Sequence, residues 1–584
     1  MSYNLGVSCF FHDSSCALID DNGVICAAEE ERFTRKKHDS SFPINAINFC
    51  MEEKNLSIND IDNIIFYENP INKFDRIFNR FITNLPRSLK ILPDIAYQWH
   101  NEKLWFKEIC VNKLKVNKKK IKYFDHHLSH CYSALLPSGF NDAACLTIDG
   151  VGEWSTTNGY FFKNGKIKKI FSINFPNSLG LLYSAFTEFL GFEVNDGEYK
   201  VMGMAAYGKP IYIDKINKLF KSKSLNDFKL DLDYFTFEYS NKSNLSKKFL
   251  KLFGSPRVRE SKFLKKDQTS PLNYELNEDQ KYYADIAASI QYVIERQVVD
   301  FSIYLKKITN SKNLVYAGGV AYNGVINEKL IKNKLFENIY IQPAAGDNGA
   351  SIGAALGYAY ENKLSKKFTL KNMYLGKKYN HKDCLETIEN YSFKYKKYNA
   401  PKEQVEFISN KLIDEKIFGI FNSGFEFGPR ALGNRSIVAD PRKIESRNII
   451  NKSVKYREQF RPFAPVVLDQ KASLYFEIDE NFINKQPYKY MLAVTKVRKN
   501  YINVLPAITH VDGTARIQIL KEEDNFFLYQ LIKSFGEKTD VYCLINTSFN
   551  VRGDPIVNTP NQALQTFAKS DIDYLSIENI VVNK

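Results

Sequence analysis

Residues 5–28, LGVSCFFHDSSCALIDDNGVICAA, decide the fold. They predict a strand, a polar loop, a second strand, a turn and a third strand, over Leu5–Cys9, Phe11–Ser15, Cys16–Ile19, Asn22-Gly23 and Val24–Ala28. An Asn-Gly pair between apolar runs is a strong hairpin signal, because both turn residues must take positive φ.

The same order of elements recurs in residues 144–171, ACLTIDGVGEWSTTNGYFFKNGKIKKIF. The predicted elements are a strand, a glycine-rich polar loop, a strand, a turn and a strand, over Ala144–Ile148, Asp149–Thr157, Gly159–Phe162, Asn164-Gly165 and Lys166–Phe171. We therefore predict a duplicated α/β domain with a cleft between its halves. Chance resemblance of two hairpins is the alternative, since the copies share little identity.

The first domain is predicted to span residues 1–362. An amphipathic helix over Asp285–Ile308 leads into the strand Asn313–Ala317 and the turn Gly318-Gly319, and a closing helix covers residues 350–361. Residues 210–280 form a basic, poorly patterned insertion in this domain.

A second α/β domain is predicted over residues 368–584, after a polar boundary at Asn362–Lys367. Its expected elements are the strand Phe418–Phe421, the loop Asn422–Gly433, the helix Ile444–Val454, and late strands near Val541–Ile545 and Tyr574–Ile577.

Composition excludes several classes of protein. No run of about 18 apolar residues occurs, so no membrane span is expected, and the first residues lack a signal-peptide pattern. Nine scattered cysteines without a C-x-x-C pair predict neither a disulfide framework nor a zinc ribbon. We expect a cytoplasmic protein.

The net charge of +15 raises the question of a nucleic-acid partner. The charge is uneven, because residues 209–266 hold 15 Lys and Arg against 6 Asp and Glu. Polyphosphate substrates and a biased composition account for it, so nucleic acid is not expected. Lysines in the insertion alternate with Phe, Leu and Tyr, which predicts a folded, positively charged cap that would attract a ligand bearing phosphate. A surface elaboration without function is the alternative.

His126 and His130, in DHHLSHCYSALL, have the i, i+4 spacing that puts two imidazoles on one helix face. Asp149 and Asp347 each follow a predicted strand. Two imidazoles and two carboxylates from a cleft would suit Fe(II), Mn or Zn. The alternative is a structural pair of histidines.

Two further loops carry candidate binding residues. The stretch YAGGVAYNG, with Gly318, Gly319 and Asn323, would let a base or ribose approach the backbone, although a Gly-Gly turn is usually only a turn. In the second domain, several arginines lie close together in the stretches FEFGPRALGNRS and KYREQFRPFAP. Their guanidinium groups can bind phosphate through two hydrogen bonds at once, and a solvated basic face is the alternative. These arginine and lysine positions are Arg430, Arg435, Lys455, Arg457 and Arg461. THVDGTARIQ (His510, Arg516) and NTSFNVRGDP (Asn546, Ser548, Asn550) add further donors.

Together these motifs resemble the nodulation-type O-carbamoyltransferases over essentially the whole chain. The resemblance also rests on HDSSCAL, EEERFTRKKH, GEYKVMGMAAYG and AAGDNGASIGAA, in the order of the family. It implies an N-terminal domain of the actin-like ATPase fold and a C-terminal YrdC-like domain. It further implies that the C-terminal domain converts carbamoyl phosphate and ATP, the latter with Mg2+, to carbamoyl-adenylate. The N-terminal domain then transfers the carbamoyl group to an acceptor hydroxyl.

The resemblance also implies roles for individual residues. His126, His130, Asp149 and Asp347 would bind a divalent metal, with Fe2+ as the first candidate. Lys37 would contact the nucleotide phosphates, and the catalytic group would be His12 or Asp13. The carbamoyl phosphate and adenylate site would comprise Arg430, Lys455, Arg461, Arg516, Asn546 and Ser548. Antibiotic-tailoring members carry an acid just before this histidine, where Phe10-Phe11 stand here, which leaves the base open.

Other functions remain as alternatives at this point. The first is a threonylcarbamoyl-type enzyme that modifies tRNA, and the second is a nucleotide or sugar sensor of the actin fold without turnover. Among carbamoyl acceptors, a sugar, a nucleotide sugar and a natural product all fit, and a homo-oligomer is compatible with the sequence.

Overall fold

The computed structural model describes residues 2–93, 95–96, 103–264, 274–365, 368, 370–455, 458, 460–479 and 486–584. The chain divides into two compact units. The first comprises Met1–Glu30, His38–Ser261 and Asn277–Leu370, and the second comprises Glu31–Lys37, Lys262–Leu276 and Lys371–Lys584. Two short segments of the N-terminal half are thus grouped with the second unit.

The first unit contains two five-stranded sheets of the same design. One has the order β3-β2-β1-β4-β5, in which β1 pairs antiparallel with β2 and parallel with β4. Its strands are Asn4–Ser8 (β1), Ser15–Asp20 (β2), Gly23–Glu29 (β3), Asn63–Phe66 (β4) and Ile121–Tyr123 (β5). Both β1 and β2 are buried along their whole length, as expected for central strands covered on both faces.

The second sheet has the order β12-β11-β6-β7-β8. Its strands are Asp142–Ile148 (β6), Ser155–Lys163 (β7), Lys166–Asn174 (β8), Asn313–Ala317 (β11) and Asn338–Ile341 (β12). Strand β6 pairs antiparallel with β7 and parallel with β11, which repeats the pattern around β1. The strand order and pairing confirm the predicted duplication.

Helices connect and cover these sheets. They are Ile44–Glu52 (α1), Pro70–Thr83 (α2), Phe106–Leu114 (α3), His126–Ser138 (α4), Leu179–Phe189 (α5), Glu198–Ala205 (α6), Ile213–Asn217 (α7), Lys247–Phe253 (α8), Glu278–Thr309 (α9), Gly324–Lys332 (α10) and Asp347–Glu361 (α11). Helix α4 follows β5 and α11 follows β12, so these two helices occupy equivalent places in the two copies.

Residues 210–261 of the inserted segment belong to the first unit. The segment contributes α7, α8 and the short strands Phe220–Ser222 (β9) and Lys229–Leu230 (β10). Phe249 and Phe253 are buried, and their rings lie 5.3 Å from the ring of Phe186 on α5. Lys248 pairs with Asp231 and Asp233 at 3.0 and 3.1 Å, so part of the basic charge is neutralised locally.

The second unit is built on an eight-stranded mixed sheet of order β13-β22-β21-β14-β15-β20-β16-β19, with a separate β17-β18 pair. Its strands are Lys394–Lys397 (β13), Phe418–Phe421 (β14), Arg435–Ala439 (β15), Ala464–Leu468 (β16), Val494–Lys496 (β17), Thr514–Arg516 (β18), Gln518–Leu520 (β19), Cys543–Ser548 (β20), Tyr574–Ile577 (β21) and Ile580–Asn583 (β22). Its helices are His381–Glu389 (α12), Pro401–Ile413 (α13), Ile444–Ile449 (α14), Ala472–Tyr475 (α15), Gln486–Lys489 (α16), Phe526–Thr539 (α17) and Pro560–Lys569 (α18).

Two predicted details of the hairpins have different outcomes. Asn164 and Gly165 both take positive φ (52° and 73°), as predicted for this type of turn. In the first hairpin the prediction was wrong. Asp20 pairs with Gly23, so the turn residues are Asp21 and Asn22, and only Gly23 has a positive φ, of 122°.

None of the described helices combines the length and the low polarity that crossing a bilayer requires. All nine cysteines are buried thiols.

Candidate functional site

The two histidines predicted as metal ligands lie in the first two turns of α4. Asp125 caps this helix by accepting a hydrogen bond from the Leu128 amide at 2.8 Å, which fixes where the helix begins. The Nε2 atoms of His126 and His130 each lie 3.1 Å from Oδ2 of Asp149, at the end of β6. The i, i+4 spacing therefore brings both rings to one carboxylate.

Asp347 completes this group from the first turn of α11. Its Oδ1 lies 3.4 Å from Nε2 of His130 and 3.9 Å from Nε2 of His126. Its Oδ2 accepts a hydrogen bond from the Tyr67 hydroxyl at 3.1 Å, which orients the carboxylate. One ligand atom from each of the four predicted residues lies within 4.8 Å of the others.

Close packing of α4 against α11 makes this meeting possible. A Cβ at Gly353 of α11 would lie 1.7 Å from the backbone carbonyl oxygen of Ser129 on α4, so only glycine fits there. The Ser129 hydroxyl in turn donates to the carbonyl of Tyr67 at 3.0 Å. The first turns of the two helices are thereby held side by side.

The electrostatics of the group favour a bound cation. Burial opposes a charged His130 ring, but hydrogen bonding and attraction to Asp149 and Asp347 outweigh it and raise the pKa of His130 to about 9. Burial likewise disfavours the ionised Asp149, yet the two imidazoles hold its pKa well below the usual range. The two carboxylates therefore stabilise positive charge at this place, whether on the His130 ring or on a bound cation.

The donor set also fits a divalent transition metal. The Nδ1 atoms of His126 and His130 are buried without a hydrogen-bond partner among the described residues, whereas both Nε2 atoms point to the carboxylates. Two imidazole nitrogens and two carboxylate oxygens suit Fe(II), Mn or Zn.

His127, between the two, shows what a structural histidine looks like in this fold. Its Nδ1 pairs with the Thr147 hydroxyl and its Nε2 with the Ser155 carbonyl, each at 2.8 Å. Burial first, and then the neighbouring imidazoles, lower the pKa of His127 well below its ordinary value. The rings of His126 and His130 differ from it, because each directs Nε2 to a carboxylate and leaves Nδ1 without a hydrogen-bond partner among the described residues.

A second polar cluster surrounds the predicted catalytic residues. Nδ1 of His12 lies 2.7 Å from Oδ2 of Asp13, and Oδ1 of Asp13 lies 2.7 Å from Nδ1 of His38. Nε2 of His38 lies 3.0 Å from Oδ1 of Asp196. His38 and Asp196 were not among the predicted site residues. For His38, its place at the end of the RKKH motif was the only signal in the sequence.

The predicted nucleotide residues fall in different settings. Gly318 has φ of +94°, and a Cβ there would lie 2.3 Å from the carbonyl oxygen of Ile148, so the turn packs directly against the end of β6. The Asn323 side chain caps α10 and pairs with the Gln291 amide at 2.9 Å. A Cβ at Gly319 would lie 2.9 Å from Oδ1 of Asp149. Lys37 is half-buried in the segment that groups with the second unit.

In the second unit, three of the predicted arginines come together. Nε of Arg516 is buried and has no hydrogen-bond partner among the described residues. Burial, together with the positive charges of Arg430 and Arg461, lowers the pKa of Arg516 well below its ordinary value. Arg461 also lies 3.5 Å from Glu458. Three like charges gathered in a partly desolvated place are typical of a site for a polyanion.

The remaining predicted residues of this unit are held by local hydrogen bonds. Nζ of Lys455 donates to the backbone carbonyl and, at 3.1 Å, to the hydroxyl of Ser548, and to Oδ1 of Asn550 at 2.6 Å. The Asn546 amide donates to Oε1 of Gln518 at 2.7 Å, in the interior. Arg457 lies outside the described residues.

Arg435 differs from the other predicted arginines in its contacts. It is fully buried, and its guanidinium lies 3.6 Å from the centre of the Phe421 ring. It donates to the backbone carbonyls of Asn422, Ser423 and Asn434 at 2.7, 3.0 and 2.9 Å. It therefore holds the loop in shape, although it lies in the same motif as Arg430.

Glu426, which the sequence did not single out, organises the same loop from inside. Its buried Oε1 accepts the backbone amides of Leu432 and Asn434 at 2.8 Å and of Arg435 at 3.2 Å. Arg430 is thus carried by a loop whose backbone is fixed by one carboxylate. The glutamate of the FEFGPR motif was the available signal.

Comparison with known proteins identifies the family. The model described as "Carbamoyltransferase N-terminus" matches residues 3–356, and that described as "Carbamoyltransferase C-terminus" matches residues 409–584. An uncharacterized protein of Synechocystis sp. is 40% identical over 100% of this chain and 97% of its own length. Nodulation protein NolNO of Sinorhizobium fredii is 32% identical over 98% of this chain and 79% of its own length.

Two solved structures to which the chain is similar are distant likenesses. Component A of the (R)-2-hydroxyglutaryl-CoA dehydratase of Acidaminococcus fermentans covers 62% of this chain, at 14% identity and a TM-score of 0.33. HypF of T. kodakarensis covers 62%, at 15% identity and a TM-score of 0.30. Neither likeness is close enough to support a conclusion.

Fold and site define a two-unit α/β protein with an imidazole–carboxylate cluster in one unit and an arginine cluster in the other. Both halves match their family models, and a named relative aligns over nearly the whole chain. This chain belongs to the carbamoyltransferase family, and it is a transferase, as the resemblance of its motifs predicted.

Proposed function

We propose that this protein is an O-carbamoyltransferase that activates carbamoyl phosphate with ATP and transfers the carbamoyl group to a hydroxyl of a small-molecule acceptor. The intermediate is carbamoyl-adenylate. Water first cleaves carbamoyl phosphate to carbamate and orthophosphate, and a carbamate oxygen then attacks the α-phosphorus of ATP, so that pyrophosphate leaves. The observation that carries this proposal is the arginine cluster around Arg516, whose buried Nε has no partner among the described residues and whose neighbours are two more arginines.

In the proposed first reaction, the second unit binds carbamoyl phosphate and the ATP phosphates. Arg430, Arg461 and Arg516 stabilise the negative charge that builds up as pyrophosphate departs, because fixed donors in a desolvated site need no reorganisation. Lys455 and Ser548 lie 3.1 Å apart and supply further donors to the same substrates, and Asn546 supports them from the interior. Mg2+ enters with ATP as part of the substrate.

We further propose names for the two folds. The matching order and pairing of the two sheets in the first unit support assignment to the actin-like ATPase fold. The second unit is proposed to be YrdC-like, as the family resemblance implies. Residues 1–362 and 368–584 are the corresponding domains.

The nucleotide part of the intermediate is proposed to bind through three kinds of contact. Lys37 would meet a phosphate, the Gly318-Gly319 turn would allow the ribose or base to approach the backbone, and Asn323 would fix the start of the adjoining helix. The positive φ of Gly318 supports this use of the turn, because a side chain there would collide with Ile148.

His126, His130, Asp149 and Asp347 would hold a divalent metal, proposed to be Fe2+. Such an ion would neutralise charge on the leaving phosphate and orient it. The convergence of four donor atoms within 4.8 Å supports the assignment.

In the proposed second reaction, an acceptor hydroxyl attacks the carbamoyl carbon and AMP leaves. His12 and Asp13 are the proposed catalytic groups, because their side chains are joined at 2.7 Å and about a quarter exposed. The acceptor is proposed to be a sugar, a nucleotide sugar or a natural product, recognised in part by the basic insertion.

The test is product analysis with the full chain. Isotope-labelled carbamoyl phosphate and ATP are supplied with a pool of hydroxyl acceptors, and products are identified by mass spectrometry. AMP, pyrophosphate, orthophosphate from carbamoyl phosphate, and a carbamoylated acceptor are expected. Formation of ADP in place of AMP and pyrophosphate would show a kinase-like or ATPase reaction and refute the proposed mechanism.

A further inference from the structure

The cluster around His12 is a hydrogen-bonded chain of alternating imidazoles and carboxylates. In order, it runs Asp196, His38, Asp13 and His12, with contacts of 3.0, 2.7 and 2.7 Å. At its end, Nε2 of His12 lies 2.8 Å from the carbonyl oxygen of Asn195. The two histidine rings lie 4.5 Å apart with an angle of 30° between their planes.

The backbone around this chain has an unusual conformation that the fold enforces. Asp13 and His38 take positive φ values of 47° and 56°, which few residues other than glycine adopt. The amides of Phe10 and Ser14 donate to the carbonyls of Ser40 and Asp39 at 2.7 and 2.8 Å, on either side of the cluster. Non-glycine residues held in this region often mark functional sites.

The arrangement differs from that of His126, His130, Asp149 and Asp347, which we call the metal-type cluster. In the metal-type cluster, two Nε2 atoms converge on a single oxygen of Asp149. Here Asp13 offers one oxygen to each ring, and the far nitrogen of each ring has its own acceptor, Asn195 or Asp196. The ring nitrogens already have partners, so the geometry is that of a proton-holding chain.

All four ring nitrogens of His12 and His38 thus face oxygen acceptors, so both rings carry two protons in this arrangement. Two imidazolium rings then balance the carboxylates of Asp13 and Asp196. Burial opposes the charge on His12, but hydrogen bonding and attraction to Asp13 outweigh it and raise the pKa of His12. The positive charge of His38 acts in the opposite direction.

We propose that His12 is the base that accepts the proton of the acceptor hydroxyl, and that His38 and Asp196 are positioning residues that act on it through Asp13. This proposal rests on the proposed function. In the transfer, the acceptor oxygen forms a bond to the carbamoyl carbon, the bond from that carbon to the AMP phosphate oxygen breaks, and its electron pair leaves with AMP. The hydroxyl proton goes to Nε2 of His12.

For this reaction His12 must first lose its Nε2 proton, and its Nε2 then no longer donates to Asn195. The acceptor hydroxyl would donate to the same Nε2, in place of the present contact with the Asn195 carbonyl. A shared carboxylate suits this role, because a base works best when its pKa lies near the working pH. Asp13 alone would make His12 too basic, and the charge of His38 counteracts it.

The other charged groups near His12 are kept unchanged in every variant, so that each pKa shift can be assigned to the substituted residue. Asp347 on α11 raises the pKa of His12, and Glu198 on α6 interacts with its charge. The measurement is therefore made on full-length, metal-free protein with both residues intact. It is an NMR titration of the histidine rings in the 13C- and 15N-labelled chain, with eight histidines to resolve and His12→Asn and His38→Asn to assign the two signals.

Substitutions of His38 and of Asp13 should shift the pKa of His12 in opposite directions. His38→Asn keeps a neutral donor and removes the repelling charge, so the pKa of His12 should rise by about half a unit or more. Asp13→Asn removes the attracting carboxylate, so the pKa of His12 should fall by about one unit. Asparagine tolerates positive φ at both positions, which favours correct folding.

Two further variants test the outer part of the chain. Asp196→Asn should lower the pKa of His38. Glu193→Gln is the matched control on the same loop, because Glu193 is exposed and pairs with Arg259, and it should move neither signal. If His38→Asn left the His12 titration unchanged, or if the cluster bound a second metal equivalent in place of two protons, the proposal would be overturned.

Pyrophosphate release with carbamoyl phosphate and ATP separates this proposal from the proposed function. It should continue in His38→Asn, because adenylation is assigned to the other unit. If the variants showed the expected pKa shifts of His12 but the protein released no pyrophosphate, the proposed function would be refuted and the chain of contacts would be established. Pyrophosphate release without the shifts would refute only the role of His38.

Discussion

Replacing Arg435 or Arg516 by methionine should separate stability from catalysis in the second unit. Both arginines belong to the motif set that predicts phosphate binding, and both are desolvated. Their contacts differ, however. Arg435 donates to three backbone carbonyls and stacks on Phe421, whereas Nε of Arg516 has no partner among the described residues and its charged neighbours repel it.

The expected magnitudes follow from those contacts. Arg435→Met leaves three backbone carbonyls without their charged donor, and disrupting a buried charged group of this kind costs about 3–5 kcal/mol. Arg516→Met removes one of three like charges, whose mutual repulsion at an effective dielectric of about 20 is on the order of a few kcal/mol. Its stability should therefore be unchanged or higher. The loss of a charge-assisted phosphate contact should slow adenylation by 2 kcal/mol or more, about 30-fold.

Two spectroscopic probes assign the stability change to the correct unit. Trp105 and Trp154 lie in the first unit, the third tryptophan, at position 99, lies outside the described residues, and residues 371–584 contain no tryptophan, so the fluorescence reports on the first unit. Far-UV circular dichroism follows both units. Arg435→Met should lower the transition seen by circular dichroism and leave the tryptophan transition in place. Pyrophosphate release at saturating ATP, with varied carbamoyl phosphate, gives the adenylation rate.

The outcome that would refute this reasoning is a reversal of the two roles. If Arg516→Met lowered the melting temperature as much as Arg435→Met and left adenylation at the wild-type rate, Arg516 would be a structural residue. The three-arginine cluster would then give no support to a phosphate site.

Two other predictions concern the first unit. Asp347→Ala, like His126→Ala, should abolish binding of added Mn2+ or Fe2+, measured as metal content after gel filtration. Both variants should release pyrophosphate at a rate within about threefold of wild type. Retained metal would mean that the cluster is structural. Gly353→Ala should lower the tryptophan-detected melting temperature by an amount equivalent to about 2–4 kcal/mol, because its Cβ would lie 1.7 Å from the Ser129 carbonyl oxygen. A variant that melted like the wild type would show that α4 and α11 can separate without cost.

Much of the fold could be predicted because the relevant signals are local. The strands Asn313–Ala317, Phe418–Phe421 and Tyr574–Ile577 match their predicted bounds, since each is a short apolar run between polar residues. The second hairpin was also local, because Asn164-Gly165 takes the conformation that its sequence favours. The first hairpin deviated because an irregular pairing in β2 moves the turn by one residue.

The candidate sites were predictable only in part, because side-chain direction depends on distant contacts. The spacing of His126 and His130 fixes their common helix face, but the approach of Asp347 depends on packing at Gly353. Arg430 and Arg435 look alike in sequence. Only the strand position of Arg435, buried between carbonyl groups, shows that it serves the fold.

The duplication explains why both clusters of the first unit exist. In each copy, the loop after the first strand carries polar residues, His12 and Asp13 in one and Asp149 in the other. The helix after the last strand of each copy begins with candidate ligands, at His126 in α4 and Asp347 in α11.

Equivalent positions in the two copies have therefore diverged into different chemistry. The loop of the second copy contributes a carboxylate on which two imidazoles converge, which suits a metal. The loop of the first copy contributes a carboxylate that is shared by two imidazoles, one on each oxygen, which is the arrangement on which the proposed proton transfer rests. Since α4 and α11 pack against each other within the same unit, one framework carries both clusters. The proposed transfer would use one of them to hold a metal and the other to accept a proton.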